Sequence, residues 1–171
     1  MEIRKITREN AGDLLLHNEP FEMPGRFVPG LENGVWSYHV EPFEKVGTMG
    51  FPDEAYDFDE VTKDGAAFGA YKDGECVGLI VLKDAFWNYM YVHDLKVSSA
   101  ARGKGVGRAL IEAARQEALA RGYGGLYLQA QDNNLNACLF YLKTGFQIGG
   151  FDNHVYNGTK QEGKADIIFY L

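Results

Sequence analysis

Between residues 102 and 108 the chain runs Arg102-Gly103-Lys104-Gly105-Val106-Gly107-Arg108. Glycines let a turn bring successive backbone N–H groups toward one point, and a helix starting there adds unpaired donors and the positive end of its dipole. Arg102, Lys104 and Arg108 supply charge, so the stretch reads as a cradle for phosphate. It differs from two other glycine motifs: the Gly-Lys-Ser/Thr ending of the nucleoside-triphosphate loop is absent, and so is the third glycine of the dinucleotide fingerprint. A second feature has the opposite sign. Asp53, Glu54, Asp57, Asp59 and Glu60 are interleaved with Phe51, Tyr56 and Phe58, a mixture suited to a polycationic ligand. Glu19, Glu22, Glu32 and Trp36 extend that character. His17, His39 and His154 share no metal spacing, and Cys76 and Cys138 stand apart without a CxxC, so neither a metal site nor a disulfide framework is expected.

These residues need elements to hold them. Residues 1–6 suit an edge strand and residues 10–17, with Leu14, Leu15 and Leu16, a short helix. Residues 66–71 and 76–82 form a hairpin around Lys72-Asp73-Gly74-Glu75, because Asp-Gly between β-favouring runs is a turn signal. A strand over residues 89–97 puts Tyr91, His93, Leu95 and Val97 on one face and Val92, Asp94 and Lys96 on the other. His93 and Asp94 then point opposite ways. After the glycine turn, Gly107, Leu110, Ile111, Ala114 and Ala118 follow the spacing of a buried helix face, which ends near Gly122. Residues 126–130, 146–151 and 165–170 read as strands, and residues 134–143 as a helix stopped by Gly145. Strand, helix, strand in succession implies a parallel pair with a right-handed crossover. The fold class is α+β: a mixed, mostly antiparallel sheet flanked by helices.

The chain has 171 residues, of which 46% are hydrophobic and 13% aromatic. A domain of this size buries roughly two-thirds of the surface of its unfolded chain, so one folded domain, residues 1–171, is expected. Residues 18–65 hold all five prolines and read as a loop-rich part that packs on residues 66–171 and shapes the ligand site. The formal charge of −7, from 17 Lys plus Arg against 24 Asp plus Glu, disfavours nucleic acid and anionic membrane surfaces and favours a cationic ligand. With no apolar signal region and no run of 18 apolar residues, a cytoplasmic location is expected.

A second polar-to-apolar stretch, Asn134-Leu135-Asn136-Ala137-Cys138-Leu139-Phe140-Tyr141, closes with Gly145-Phe146. Arg-x-x-Gly-x-Gly after a strand, followed in order by Asn-x-x-Ala-x-x-Phe-Tyr and Gly-Phe, resembles the GCN5-related N-acetyltransferases (GNAT). The chain is also similar, over nearly its whole length, to the streptothricin acetyltransferases of that family. That likeness rests on Glu19-Pro20-Phe21-Glu22, Pro29, Glu32-Asn33 with Trp36, the acidic segment before the first hairpin, Gln131-Asp132-Asn133-Asn134 and Phe146-Gln147-Ile148-Gly149.

The resemblance implies the GNAT fold and transfer of acetyl from acetyl-coenzyme A to the amine of a small cationic substrate, with no metal and with a homodimer possible. It implies that the strand backbone at Leu95, Lys96 and Val97 pairs with the pantetheine arm and that N–H groups of Arg102, Gly103, Lys104, Gly105, Val106, Gly107 and Arg108 hold the pyrophosphate. Asn134 would reach the cofactor arm, and Tyr141 would stand near the thioester sulfur as a proton or hydrogen-bond donor. Relatives keep a carboxylate or a histidine at the position of His93, which is the first candidate for the base, with Asp94 the second. Gln129 stands where relatives often carry Glu. Glu22, Trp36, Asp53, Glu54, Asp57 and Gln129 are the substrate-binding candidates. The residues leave open a polyamine, another drug or a protein amine as acceptor, and a non-catalytic domain that binds acyl-coenzyme A.

Overall fold

The computed structural model describes residues 1–85 and 87–171. Its elements begin with β1 (Glu2–Lys5), a 3-10 segment (Arg8–Leu15), β2 (Phe21–Glu32), β3 (Val35–Met49) and α1 (Phe58–Lys63). There follow β4 (Gly65–Lys72), β5 (Glu75–Lys83), β6 (Tyr89–Val97), a 3-10 turn (Ser99–Ala101) and α2 (Val106–Ala120). The chain ends with β7 (Gly125–Gln131), α3 (Leu135–Lys143), β8 (Gln147–Asp152) and β9 (Asp166–Tyr170). The main sheet has the order β1-β4-β5-β6-β7-β9-β8, and β2 pairs with β3 in a separate ribbon. β6 and β7 are the parallel pair, with α2 as the crossover. No helix among the described residues is long and apolar enough to cross a membrane.

The chain divides into two compact units. The first comprises Met1–Glu19 and Phe51–Leu126. In it β4 and β5 turn back on Asp73 and Gly74, both at positive φ, as the Asp-Gly signal requires. Side chains alternate across β5. Leu79 and Val81 join Ile6, Leu14, Val61 and Ala67 in one core cluster, against which Leu16, Tyr56 and Phe58 pack. The opposite face receives α2, whose Val106, Leu110, Ile111, Ala114 and Ala118 are buried. Gly78 permits that approach: a Cβ there would lie 2.9 Å from Val106 Cγ1 and 3.1 Å from Leu110 Cδ1.

The second unit comprises Pro20–Gly50 and Tyr127–Leu171. β9 lies between β7 and β8, antiparallel to both. Phe27 of β2 is buried, its ring stacked on Tyr38 at 4.6 Å and edge-on to Phe169 at 6.1 Å. Its N–H donates to the Asp132 carbonyl at 2.9 Å.

Two expectations need correction. The helix expected over residues 10–17 is a 3-10 segment in which Leu14 alone is buried. Residues 18–65 are not loop-rich, since two long strands and α1 occupy most of them. Prolines and exposed charged side chains disguised those strands. Pro24 falls at a register shift between Met23 and Gly25, and a two-stranded ribbon has edges where a missing N–H costs little. Its turn, Asn33 and Gly34, is at positive φ.

Gly65 opens β4 where no side chain fits, because a Cβ would stand 2.0 Å from the Leu82 carbonyl oxygen and 2.9 Å from that of Val61. Backbone cannot swing aside as a side chain can. Gly65→Ala is expected to destabilise the protein by about 2 kcal/mol, read as a lower urea midpoint. An unchanged midpoint would contradict the β4–β5 register.

Candidate active site

The glycine turn follows β6 in the first unit. Gly103 and Gly105 have φ of +72° and +82°, and no heavy atom lies within 4 Å of where a Cβ would be placed on either. The turn is therefore left-handed at two points and open above both. Gly105 is the N-cap of the 15-residue α2 and makes no side-chain cap bond to its first N–H groups, and a helix start of this kind suits an anion. Arg102 Nε donates to the Val97 carbonyl at 3.0 Å and Lys104 Nζ to that of Ala100 at 2.7 Å. Both cations thus stay beside the turn. Glu19 belongs here too: its carboxylate accepts the Ser99 N–H at 2.8 Å, and hydrogen bonding from Ser99 holds it below the usual range. These donors fit the pyrophosphate of a coenzyme, and the glycine turn leaves room for it.

β6 has a defect in its pairing with β5. Leu82 pairs with Val92 and Val81 with Asp94, leaving His93 as an extra residue on β6. Strict alternation would send His93 and Asp94 to opposite faces, but the bulge lets Tyr56 meet both. The Tyr56 hydroxyl donates to Asp94 Oδ2 at 3.2 Å, and its ring stands edge-on to the His93 ring at 6.0 Å. Asp94 Oδ2 also lies 3.1 Å from Lys96 Nζ, on a side chain only 7% exposed. Burial, then the Asp94 charge, push Tyr56 far above an ordinary phenol, so it remains protonated. Asp94 is thereby committed to two partners, which makes it the poorer of the two candidate bases.

His93 is half-buried, with the Tyr91 ring 5.8 Å away and Lys83 Nζ 3.1 Å from its Nε2. Burial and then the Lys83 charge lower its pKa, against the opposing pull of Asp94 and Glu54. The imidazole is neutral at pH 7, the state a proton acceptor needs.

The other candidates divide. Leu95, Lys96 and Val97 lie on β6 as expected, and Glu54 is exposed, with its charge acting on His93 and Tyr56. Asp53 instead accepts the Asn18 N–H at 2.6 Å and faces His17 Nδ1 at 2.7 Å, contacts that hold it below the usual carboxylate range. Asp57 caps α1 through the Glu60 N–H at 3.0 Å. In the second unit, Asn134 caps α3 through the Ala137 N–H at 3.4 Å, and the half-buried Tyr141 ring meets Phe146 at 5.5 Å and Phe169 at 5.7 Å. Gln129 is exposed on β7, Glu22 is exposed on β2, and Trp36 is half-buried on β3. Among the described residues no group of His, Cys, Asp and Glu could hold a metal ion.

Sequence reasoning missed three features, two beside His93 and one confined to the second unit. Lys83 carries no signal of its own, and its place follows from pairing with Tyr91 across the strands. Tyr56 appeared as one aromatic among several in an acidic run. The third is a buried network in the second unit, where the Asp132 carboxylate pairs with Arg26 at 3.0 Å. There Gln131 donates to the Tyr156 hydroxyl at 3.0 Å, which itself donates to Asp166 at 2.8 Å. Burial raises the Asp166 pKa.

The profile of the Acetyltransferase (GNAT) family matches residues 33–146. Streptothricin acetyltransferase A of Bacillus subtilis (strain 168) is 37% identical over 169 residues, 98% of each chain. A crystal structure named as a streptothricin acetyltransferase from Bacillus anthracis str. Ames, in complex with acetyl coenzyme A, superposes with a TM-score of 0.88 at 31% identity, covering 99% of this chain and 96% of that one. Nourseothricin acetyltransferase superposes with a TM-score of 0.81 at 27% identity over the same shares.

The Asp94–Lys96 pair generates a stability test. Asp94→Asn leaves the Lys96 ammonium buried without its carboxylate, at an expected cost of about 3 kcal/mol in urea unfolding. Adding Lys96→Met to Asp94→Asn should recover part of that loss. Equal stability of Asp94→Asn and the unaltered protein would show that the pair is not buried in solution.

Proposed function

The chain belongs to the GNAT acetyltransferase family, and from that premise we propose that it acetylates a primary amine of streptothricin, on the β-lysine moiety, and so confers resistance to that antibiotic. One observation carries this reading. The likeness to streptothricin acetyltransferases extends through both ends of the chain, so it includes residues 18–65 as well as the coenzyme-binding motifs. The excess of acidic residues favours a polycationic acceptor for the same reason.

Acetyl-coenzyme A supplies an acetyl group activated as a thioester. Backbone groups of Leu95 and Val97 hold its arm, and the N–H groups of the turn from Arg102 to Arg108 hold its pyrophosphate. Asn134 contacts the arm. A lysine-like amine with a pKa near 10.4 is less than about 0.1% neutral at pH 7, so the site must take a proton from it. His93 Nε2 accepts that proton, the amine attacks the thioester carbonyl, and a β6 N–H near Leu95 stabilises the oxyanion. Tyr141 donates to the departing thiolate. Acetylation then removes one positive charge from the drug. A single catalytic domain, a cytoplasmic location and a homodimer belong to the same reading.

The test is free-thiol release from acetyl-coenzyme A by the purified protein with streptothricin, followed by mass spectrometry of the drug. The expected result is continuous thiol release and a drug heavier by one acetyl group. Untouched streptothricin, with acetyl-coenzyme A still bound, would remove the substrate and leave the family assignment standing.

A further inference from the structure

Lys83 ends β5 on the surface, beside the bulge that presents His93, and its Nζ lies 3.1 Å from His93 Nε2. An ammonium has only donors to offer, so at this contact Nε2 must be the acceptor and Nδ1 must carry the ring proton. The acceptor amine of the proposed reaction also arrives as an ammonium and needs the same Nε2. We propose that Lys83 is a positioning residue, a tethered stand-in that keeps His93 in the neutral Nδ1–H form with Nε2 ready until the substrate ammonium displaces it. The inference rests on the reading of His93 as the base.

Burial of the ring favours its neutral form, and of the charges that act on it Lys83 is the one that works in the same direction. Tyr91 and Asp94 approach from β6 itself, and Tyr56 and Glu54 from the segment before α1. Tyr56 is an uncharged phenol. The Asp94 and Glu54 carboxylates both favour a protonated imidazole, the wrong state for a base, and the Lys83 charge opposes them. Lys83 is exposed, so it can leave without opening the core. The same ammonium raises the cost of a second positive charge on the ring before substrate arrives.

Two measurements on the full-length protein separate this inference from the reading beneath it. Proton NMR of the imidazole, without any substrate, follows the titration of His93, assigned by its loss in His93→Gln. In Lys83→Met the midpoint should move up toward that of an ordinary histidine, and in Lys83→Arg it should stay near the original. An unmoved midpoint in Lys83→Met overturns the inference whatever the substrate proves to be. The pH profile of kcat/KM for streptothricin is the second measurement. Its acid limb should move up with the NMR midpoint in Lys83→Met, so that activity falls by a larger factor at pH 6 than at pH 8. A shifted NMR midpoint with a fixed acid limb would mean that His93 is not the titrating base. That outcome overturns the positioning role through the failure of the base assignment.

Discussion

β6 carries one residue more than β5 can pair with, and that residue is His93. The candidate chemistry of the first unit depends on this mismatch. Without it, His93 and Asp94 would face opposite sides of a flat sheet, one in each layer. With it, one tyrosine meets both. The bulge is held from both sides. On one side Val81 pairs with Asp94, Ile80 with Leu95 and Gly78 with Val97 toward the glycine turn, with Leu79 and Val81 set in the core, and on the other Leu82 pairs with Val92 and Lys83 with Tyr91. A strand with fixed ends and an extra residue between them has one place to put it.

Charge then decides which neighbour does what. Asp94 accepts from Tyr56 and is ion-paired with Lys96 through the same oxygen, Oδ2. His93, half-buried and next to Lys83, stays neutral in a chain of net charge −7. In the proposed reading the acidic surroundings attract a polycation, while Lys83 shields the proposed base from the same field. Several acids that composition alone would assign to substrate also have structural contacts: Asp53 anchors Asn18 and His17, Asp57 caps α1 and Glu19 caps the turn at Ser99.

What could be read from the residues alone were the features encoded locally. The α2 stripe, the Asp-Gly hairpin and the glycine turn each depend on a few neighbouring residues, and their positions in the structure agree closely. The long β2–β3 ribbon was hidden because strand signals weaken when prolines sit on edges and both faces carry charge. The bulge left no mark either, since alternation in β6 looks regular and only pairing with β5 shows the extra residue. For the same reason Tyr56 and Lys83 could not be attached to His93: they come from different elements, and their meeting is a consequence of register.

The central claim is that this chain moves an acetyl group to a cationic amine with His93, presented by the bulge, as proton acceptor. The most direct test compares kcat/KM for streptothricin in His93→Gln and the unaltered protein, with acetyl-coenzyme A affinity measured in both. The account predicts a loss on the order of 100-fold or more in kcat/KM with coenzyme affinity unchanged. Undiminished turnover in His93→Gln would contradict it.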